Sequence, residues 1–159
     1  MYFFTSRDPA ATRALGQTIG ELLAAGDVIC LAGDLGAGKT LLVQGLAAGL
    51  GVTDDVTSPT FTILQVYDGG HLPLYHFDLY RLDDANQLED VGFTEYTGGR
   101  GAAVIEWADK FADAMPADRL WVELRPGRGA DERLIGFEPA GARYRKLCEE
   151  LKNRAAFGP

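Results

Sequence analysis

The chain has 159 residues, 47% hydrophobic and 24% charged, with a formal net charge of −8. That length suits a single domain over residues 1–159 with a substantial core, and no apolar run approaches the ~18 residues needed to cross a bilayer. The acidic balance disfavours tight non-specific binding to DNA or RNA, and two cysteines, Cys30 and Cys148, are too few for a metal cluster.

Met1 to Thr5 reads as a short leading strand. The start, Met1-Tyr2-Phe3-Phe4-Thr5-Ser6-Arg7-Asp8, lacks the basic head and long apolar segment of a signal peptide, so a cytoplasmic location is expected. From Pro9 to Ala25, Leu15, Ile19, Leu22 and Leu23 recur at helical spacing, with Asp8 as cap, Pro9 in the first turn and Gly26 as stop. Asp27 to Ala32 is a short apolar run of strand length, in which Cys30 is a small buried hydrophobe. Then Gly33-Asp34-Leu35-Gly36-Ala37-Gly38-Lys39-Thr40 reads G-x-x-x-x-G-K-T, the phosphate-binding P-loop. Its glycines permit backbone shapes in which successive N–H groups surround phosphate oxygens. Lys39 would neutralise the β- and γ-phosphates, and the Thr40 hydroxyl would take a place on Mg²⁺. The context agrees, because Leu41 to Leu50 continues as a helix whose positive end faces the loop.

Val52 to Pro59 is a polar connection. Within it Ser58-Pro59-Thr60 is either a switch segment offering a hydroxyl to γ-phosphate and Mg²⁺, or a helix-to-strand turn stiffened by proline. Phe61 to Tyr67 is β-branched and aromatic, Asp68-Gly69-Gly70 signals a turn, and Leu72 to Phe77 completes a hairpin. Asp83 to Asp90 reads as a short helix and Gly98-Gly99-Arg100-Gly101 as a loop. Ala102 to Glu106 is a short buried strand. Leu120 to Leu124 and Arg133 to Phe137 are two more strands around Pro126-Gly127-Arg128-Gly129, and Tyr144 to Asn153 is a closing helix. Cys148 lies in that helix, apart from Cys30, so no disulfide is expected. The pattern predicts an α/β fold, a three-layer α/β/α P-loop NTPase sandwich with a mixed sheet, and a ligand outside the carboxyl ends of the strands.

A P-loop needs an acidic element to hold metal or orient water. Asp78 and Glu106 each end a strand and are the candidates, as metal ligands and as catalytic carboxylates. Alternation puts His76 on the same sheet face as Asp78; a lone histidine is more often structural, and no catalytic role is assigned to it. Trp107 is a contact surface or a packing anchor. Arg125, Arg128 and Arg133 lie on or beside the Gly129 loop, where one could reach a base or phosphate or simply face solvent. The chain lacks the N-K-x-D and D-x-x-G elements of guanine-nucleotide switches, which leaves ATP with Mg²⁺ as the expected ligand.

Five segments together resemble the TsaE (formerly YjeE) family: Gly26-Asp27-Val28-Ile29, the P-loop Gly33 to Thr40, Ser58-Pro59-Thr60-Phe61-Thr62, His76-Phe77-Asp78-Leu79-Tyr80-Arg81-Leu82, and Ile105-Glu106-Trp107. The resemblance implies a weak ATPase that supports tRNA threonylcarbamoyladenosine formation by the partner proteins TsaD and TsaB, touching tRNA only through them. It further implies nucleotide contacts from Gly33 through Thr40, with Arg133 as a candidate for a further contact. Thr40, Glu106 and Asp78 are implied around Mg²⁺, and Thr60 as a switch-like hydroxyl. An ATP-gated binding module and a small-metabolite kinase remain the alternatives.

Overall fold

The computed structural model describes residues 1–34 and 36–155. Its elements in chain order are β1 (Tyr2–Ser6), α1 (Pro9–Leu22), β2 (Val28–Ala32), α2 (Lys39–Gly49), β3 (Leu64–Tyr67), β4 (Leu74–Asp78), α3 (Gln87–Asp90), α4 (Phe93–Tyr96), β5 (Ala102–Glu106), a 3-10 segment (Ala108–Ala114), β6 (Arg119–Pro126), β7 (Arg133–Ala140) and α5 (Ala142–Arg154). The strands form one mixed seven-stranded sheet in the order β1-β7-β6-β2-β5-β4-β3. β6, β2, β5 and β4 run parallel at its centre, while β3 and β7 pair antiparallel with their neighbours. The expected three-layer α/β architecture with partly antiparallel character is present.

Alternation along the central strands builds two cores. Ile29 and Leu31 of β2, with Val104 of β5 and Leu120 and Val122 of β6, meet α1, α2 and α5 on one face. Val28, Cys30, Phe77 and Ile105 meet Leu88, Phe93 and Met115 on the other. All of β2, β4 and β5 is buried, as expected of parallel strands covered on both sides.

Local chemistry sets the element ends. The Asp8 carboxylate accepts from Ala11 N at 2.8 Å and Pro9 opens α1, as predicted. The helix stops at Leu22, short of the predicted Ala25, because Leu23 is already extended and Gly26 turns the chain at φ 89° into β2. Glycines bring α1 and α2 into backbone contact: a Cβ on Gly45 would lie 2.0 Å from the Arg13 carbonyl oxygen, and one on Gly20 2.1 Å from that of Leu46. The predicted strand from Phe61 begins only at Leu64, since Ile63 sits at φ 69° and its N–H turns back to Pro59 O at 2.6 Å. The predicted Asp83–Asp90 helix is confined to α3, and α4 and the 3-10 segment follow where no helix was predicted. No helix among the described residues is long and apolar enough to cross a membrane.

Candidate nucleotide site

β2, β4 and β5 end together on a cleft of about 390 Å³. One wall is the P-loop and the start of α2, and the other carries Ser58, Thr60, Asp78, Tyr80, Glu106 and Trp107. This is the strand-end position predicted for the ligand. A larger hollow of about 620 Å³ between Arg13 and Asp54, away from the strand ends, contains none of the predicted site residues.

The P-loop needs its glycines for two separate reasons. A Cβ on Gly33 would lie 2.7 Å from the Leu124 carbonyl oxygen, and Gly38 turns at φ 100° to start α2. No side chain among the described residues caps that helix, so N–H groups of its first turn are available to an anion. Lys39 is only 5% exposed. Its Nζ donates to the Gly33 carbonyl and, at 3.0 Å, to that of Asp34, and it lies 4.0 Å from the Trp107 ring centroid. Burial lowers the Lys39 pKa from its ordinary value of 10.5, opposed by the carboxylates of Glu106, Asp109, Asp78 and Asp34. Leu35, also among the predicted contacts, lies outside the described residues.

The two predicted carboxylates face each other in register, Asp78 opposite Glu106 across the β4–β5 ladder, and each is 2% exposed. Their hydrogen bonds give them different tasks. Asp78 Oδ2 accepts from Ser58 Oγ at 2.5 Å and Thr60 Oγ1 at 3.0 Å, and Oδ1 accepts from Tyr80 N at 3.0 Å. Asp78 therefore ties the Ser58–Thr60 segment to the sheet. Glu106 faces the P-loop instead, accepting from the Thr40 hydroxyl through Oε1 at 3.4 Å. Its Oε2 meets His76 Nε2 at 2.5 Å.

Arg133 reaches the loop from β7. Its guanidinium donates to the carbonyls of Ala37 at 3.1 Å, Gly36 at 3.2 Å, Ala130 at 2.8 Å and Glu132 at 2.9 Å. Arg125 pairs with Glu123 on the surface at 3.0 Å, and the Arg128 backbone N–H bonds Glu132. Thus Lys39, Thr40, Thr60, Asp78 and Glu106 share one cleft, while Arg133 braces the loop behind it. Trp107 lines the cleft with its ring under Lys39 and its backbone at φ 61°, a place that its position in the sequence did not distinguish from ordinary packing. His76 is the residue that sequence reasoning passed over. Alternation placed it beside Asp78, but only the β4–β5 register brings it to Glu106.

The model for the family described as "Threonylcarbamoyl adenosine biosynthesis protein TsaE" matches residues 6–135. A tRNA threonylcarbamoyladenosine biosynthesis protein TsaE of Bacillus subtilis is 46% identical over 144 residues, covering 91% of this chain and 89% of the relative. One from Treponema pallidum is 45% identical over 120 residues, 76% of this chain and 88% of that protein. A crystal structure of Bacillus subtilis YdiB superposes with a TM-score of 0.84 and 39% identity over 97% of both chains. The matched region contains the P-loop, both strand-end carboxylates and Arg133, and the chain belongs to the TsaE family of threonylcarbamoyl adenosine biosynthesis proteins.

Proposed function

We propose that the cleft binds ATP with Mg²⁺ and hydrolyses it to drive turnover of the TsaD–TsaB complex in tRNA threonylcarbamoyladenosine formation. One observation carries the reading: an uncapped helix start and a buried lysine face two buried strand-end carboxylates across one cleft. The residues fit a magnesium nucleotide. Lys39 is a desolvated cation satisfied by backbone carbonyls, an arrangement in which phosphate oxygens are better partners than the carbonyls it now holds. Thr40 and Glu106 would hold Mg²⁺, which keeps several waters and takes only one or two carboxylates, and Asp78 stands at its edge. The ion would supply charge neutralisation at the transferred phosphoryl group.

The chain's own residues supply positioning. Gly33 to Thr40 cradle the phosphates, and Arg133 keeps the loop in shape through the Gly36 and Ala37 carbonyls. Asp78 holds the Thr60 hydroxyl at the cleft wall, so a ligand that competes for Ser58 and Thr60 also moves the exposed segment beyond them. Phe61, 82% exposed, is on that segment and offers an apolar contact for a protein partner. With a formal charge of −8, contact with tRNA is made through the partners rather than by this chain. The cytoplasm is the compartment consistent with that work.

The test is threonylcarbamoylation of tRNA by limiting TsaD–TsaB, with and without this protein and ATP. Multiple turnovers with the wild type, and none with Lys39→Ala, are expected; turnover indifferent to the protein rejects the proposal. An ATP-gated module is the second reading, motivated by the Asp78 latch, which binding alone could release. It requires a non-hydrolysable analogue to sustain repeated rounds, and a single round rejects it. A metabolite kinase is disfavoured by the arginines it would need at its acceptor, since Arg125 pairs with Glu123 and Arg133 is engaged with carbonyls.

A further inference from the structure

We propose that His76 is a positioning residue that fixes the Glu106 carboxylate for the chemistry of the cleft. The inference rests on the Mg²⁺–ATP reading above. His76 is in the middle of β4, fully buried, and pairs with Val104, while Asp78 pairs with Glu106. The residue two along from its partner is therefore on the same face and within side-chain reach, and Nε2 meets Glu106 Oε2 at 2.5 Å. The two carboxylate oxygens are thus divided. One faces the Thr40 hydroxyl and the nucleotide cleft, and the other is anchored from behind by the imidazole.

Two features separate this contact from ordinary packing. First, His76 Nδ1 is buried with no hydrogen-bond partner among the described residues. A histidine placed for stability would be satisfied on both nitrogens, or replaced by an apolar residue like Leu74 and Phe77 of the same strand. The imidazole is instead held through Nε2, and its partner there is Glu106. Second, the orphan fixes the tautomer. An Nδ1–H form would press the Nε2 lone pair against a carboxylate oxygen at 2.5 Å while burying an unpaired donor. The Nε2–H form donates to Glu106 and leaves only an acceptor unpaired. His76 thus supplies one directed N–H from Nε2, which a carboxylate at this depth needs to stay in one rotamer.

The test uses the full chain with His76→Leu, similar in size without a donor, and His76→Gln, whose amide N–H reaches about as far as imidazole Nε2. Histidine nitrogen NMR of the wild type reports the tautomer without nucleotide or turnover. The expected results are an Nε2–H signal that shifts in Glu106→Gln, and a kcat for ATP hydrolysis that falls about 10- to 100-fold in His76→Leu. His76→Gln should recover to within a few-fold, and the affinity of both variants for nucleotide without Mg²⁺ should match the wild type. An Nδ1–H tautomer, a wild-type kcat in His76→Leu, or a His76→Gln variant no better than His76→Leu overturns the inference. A wild type that neither binds nor hydrolyses ATP instead rejects the reading beneath it, and the NMR still decides the His76–Glu106 contact. If His76→Leu does not fold, the tautomer and the His76→Gln rate decide between the two outcomes.

Discussion

At the scale of single residues, the site is a set of buried charges whose partners say what each is for. Lys39 has no carboxylate in direct contact among the described residues; its ammonium rests on carbonyls and an indole face. Removing it should lower ATP affinity at least about 100-fold, the usual consequence of deleting one member of a buried charge contact. Native stability should hold, because a desolvated cation is removed as well. Calorimetric titration with urea unfolding checks both, and a Lys39→Ala variant that binds ATP normally would remove the phosphate role. Asp78 is the opposite case, since it accepts three hydrogen bonds. Asp78→Ala leaves two hydroxyls and the Tyr80 N–H without that acceptor and should cost about 1–3 kcal/mol in urea unfolding. It should also speed chymotrypsin cleavage at the exposed Phe61, and unchanged cleavage would show that the segment is not latched through Asp78. Both acids were legible because each closes a hydrophobic strand. His76 was not, because its meaning depends on a strand pairing 30 positions away.

Elements were legible where their signals are local. β5 runs from Ala102 to Glu106 as predicted, since a strand buried on both faces leaves a plain apolar run, Ala102 to Ile105, closed by the acid. β3 starts late because a β-branched residue occupies the left-handed region, an arrangement costing about 1–3 kcal/mol that only tertiary contacts sustain and no propensity foresees. α4 is one turn long and too short for helical periodicity to register. Nor did periodicity reveal how α1 meets the P-loop helix. Gly16, Gly20, Gly45 and Gly49 let the two backbones touch, which sets the position of the helix that begins with Lys39. Gly45→Ala, whose Cβ would meet the Arg13 carbonyl oxygen at 2.0 Å, should destabilise by about 3 kcal/mol or more. Gly69→Ala is the control, as nothing lies within 4 Å of its added carbon, and it should be neutral or slightly stabilising. Equal urea midpoints for the two variants would mean that the helices do not pack through glycine.

For the whole molecule, the sheet separates two cores, and each contains one thiol. Cys148 is in the core of α1, α2 and α5, and Cys30 is in the core beneath α3, α4 and the 3-10 segment. Both are free, as predicted, and burial pushes the Cys30 thiol from 9.0 up to about 12 and the Cys148 thiol to about 11. Their folded values exceed the unfolded one, so the native state retains protons that the unfolded chain releases at alkaline pH. Stability from this source is complete below about pH 9 and declines as pH rises toward the folded values, by about 1.4 kcal/mol per pH unit for each thiol. By pH 10.5 Cys30 alone accounts for on the order of 2 kcal/mol. Tyr144, raised from 10.0 mainly by burial, adds to the decline at higher pH and is common to all variants. Cys30→Ala should lose about 1 kcal/mol near neutral pH through the small cavity it leaves. Its urea midpoint should then fall less steeply than that of the wild type from about pH 8 to about pH 10.5, and Cys30→Ala/Cys148→Ala should be flatter still. Parallel slopes in all three proteins would mean that neither thiol keeps its proton through the sheet's two faces, and that the layers around β2 and α5 admit water well before the molecule unfolds.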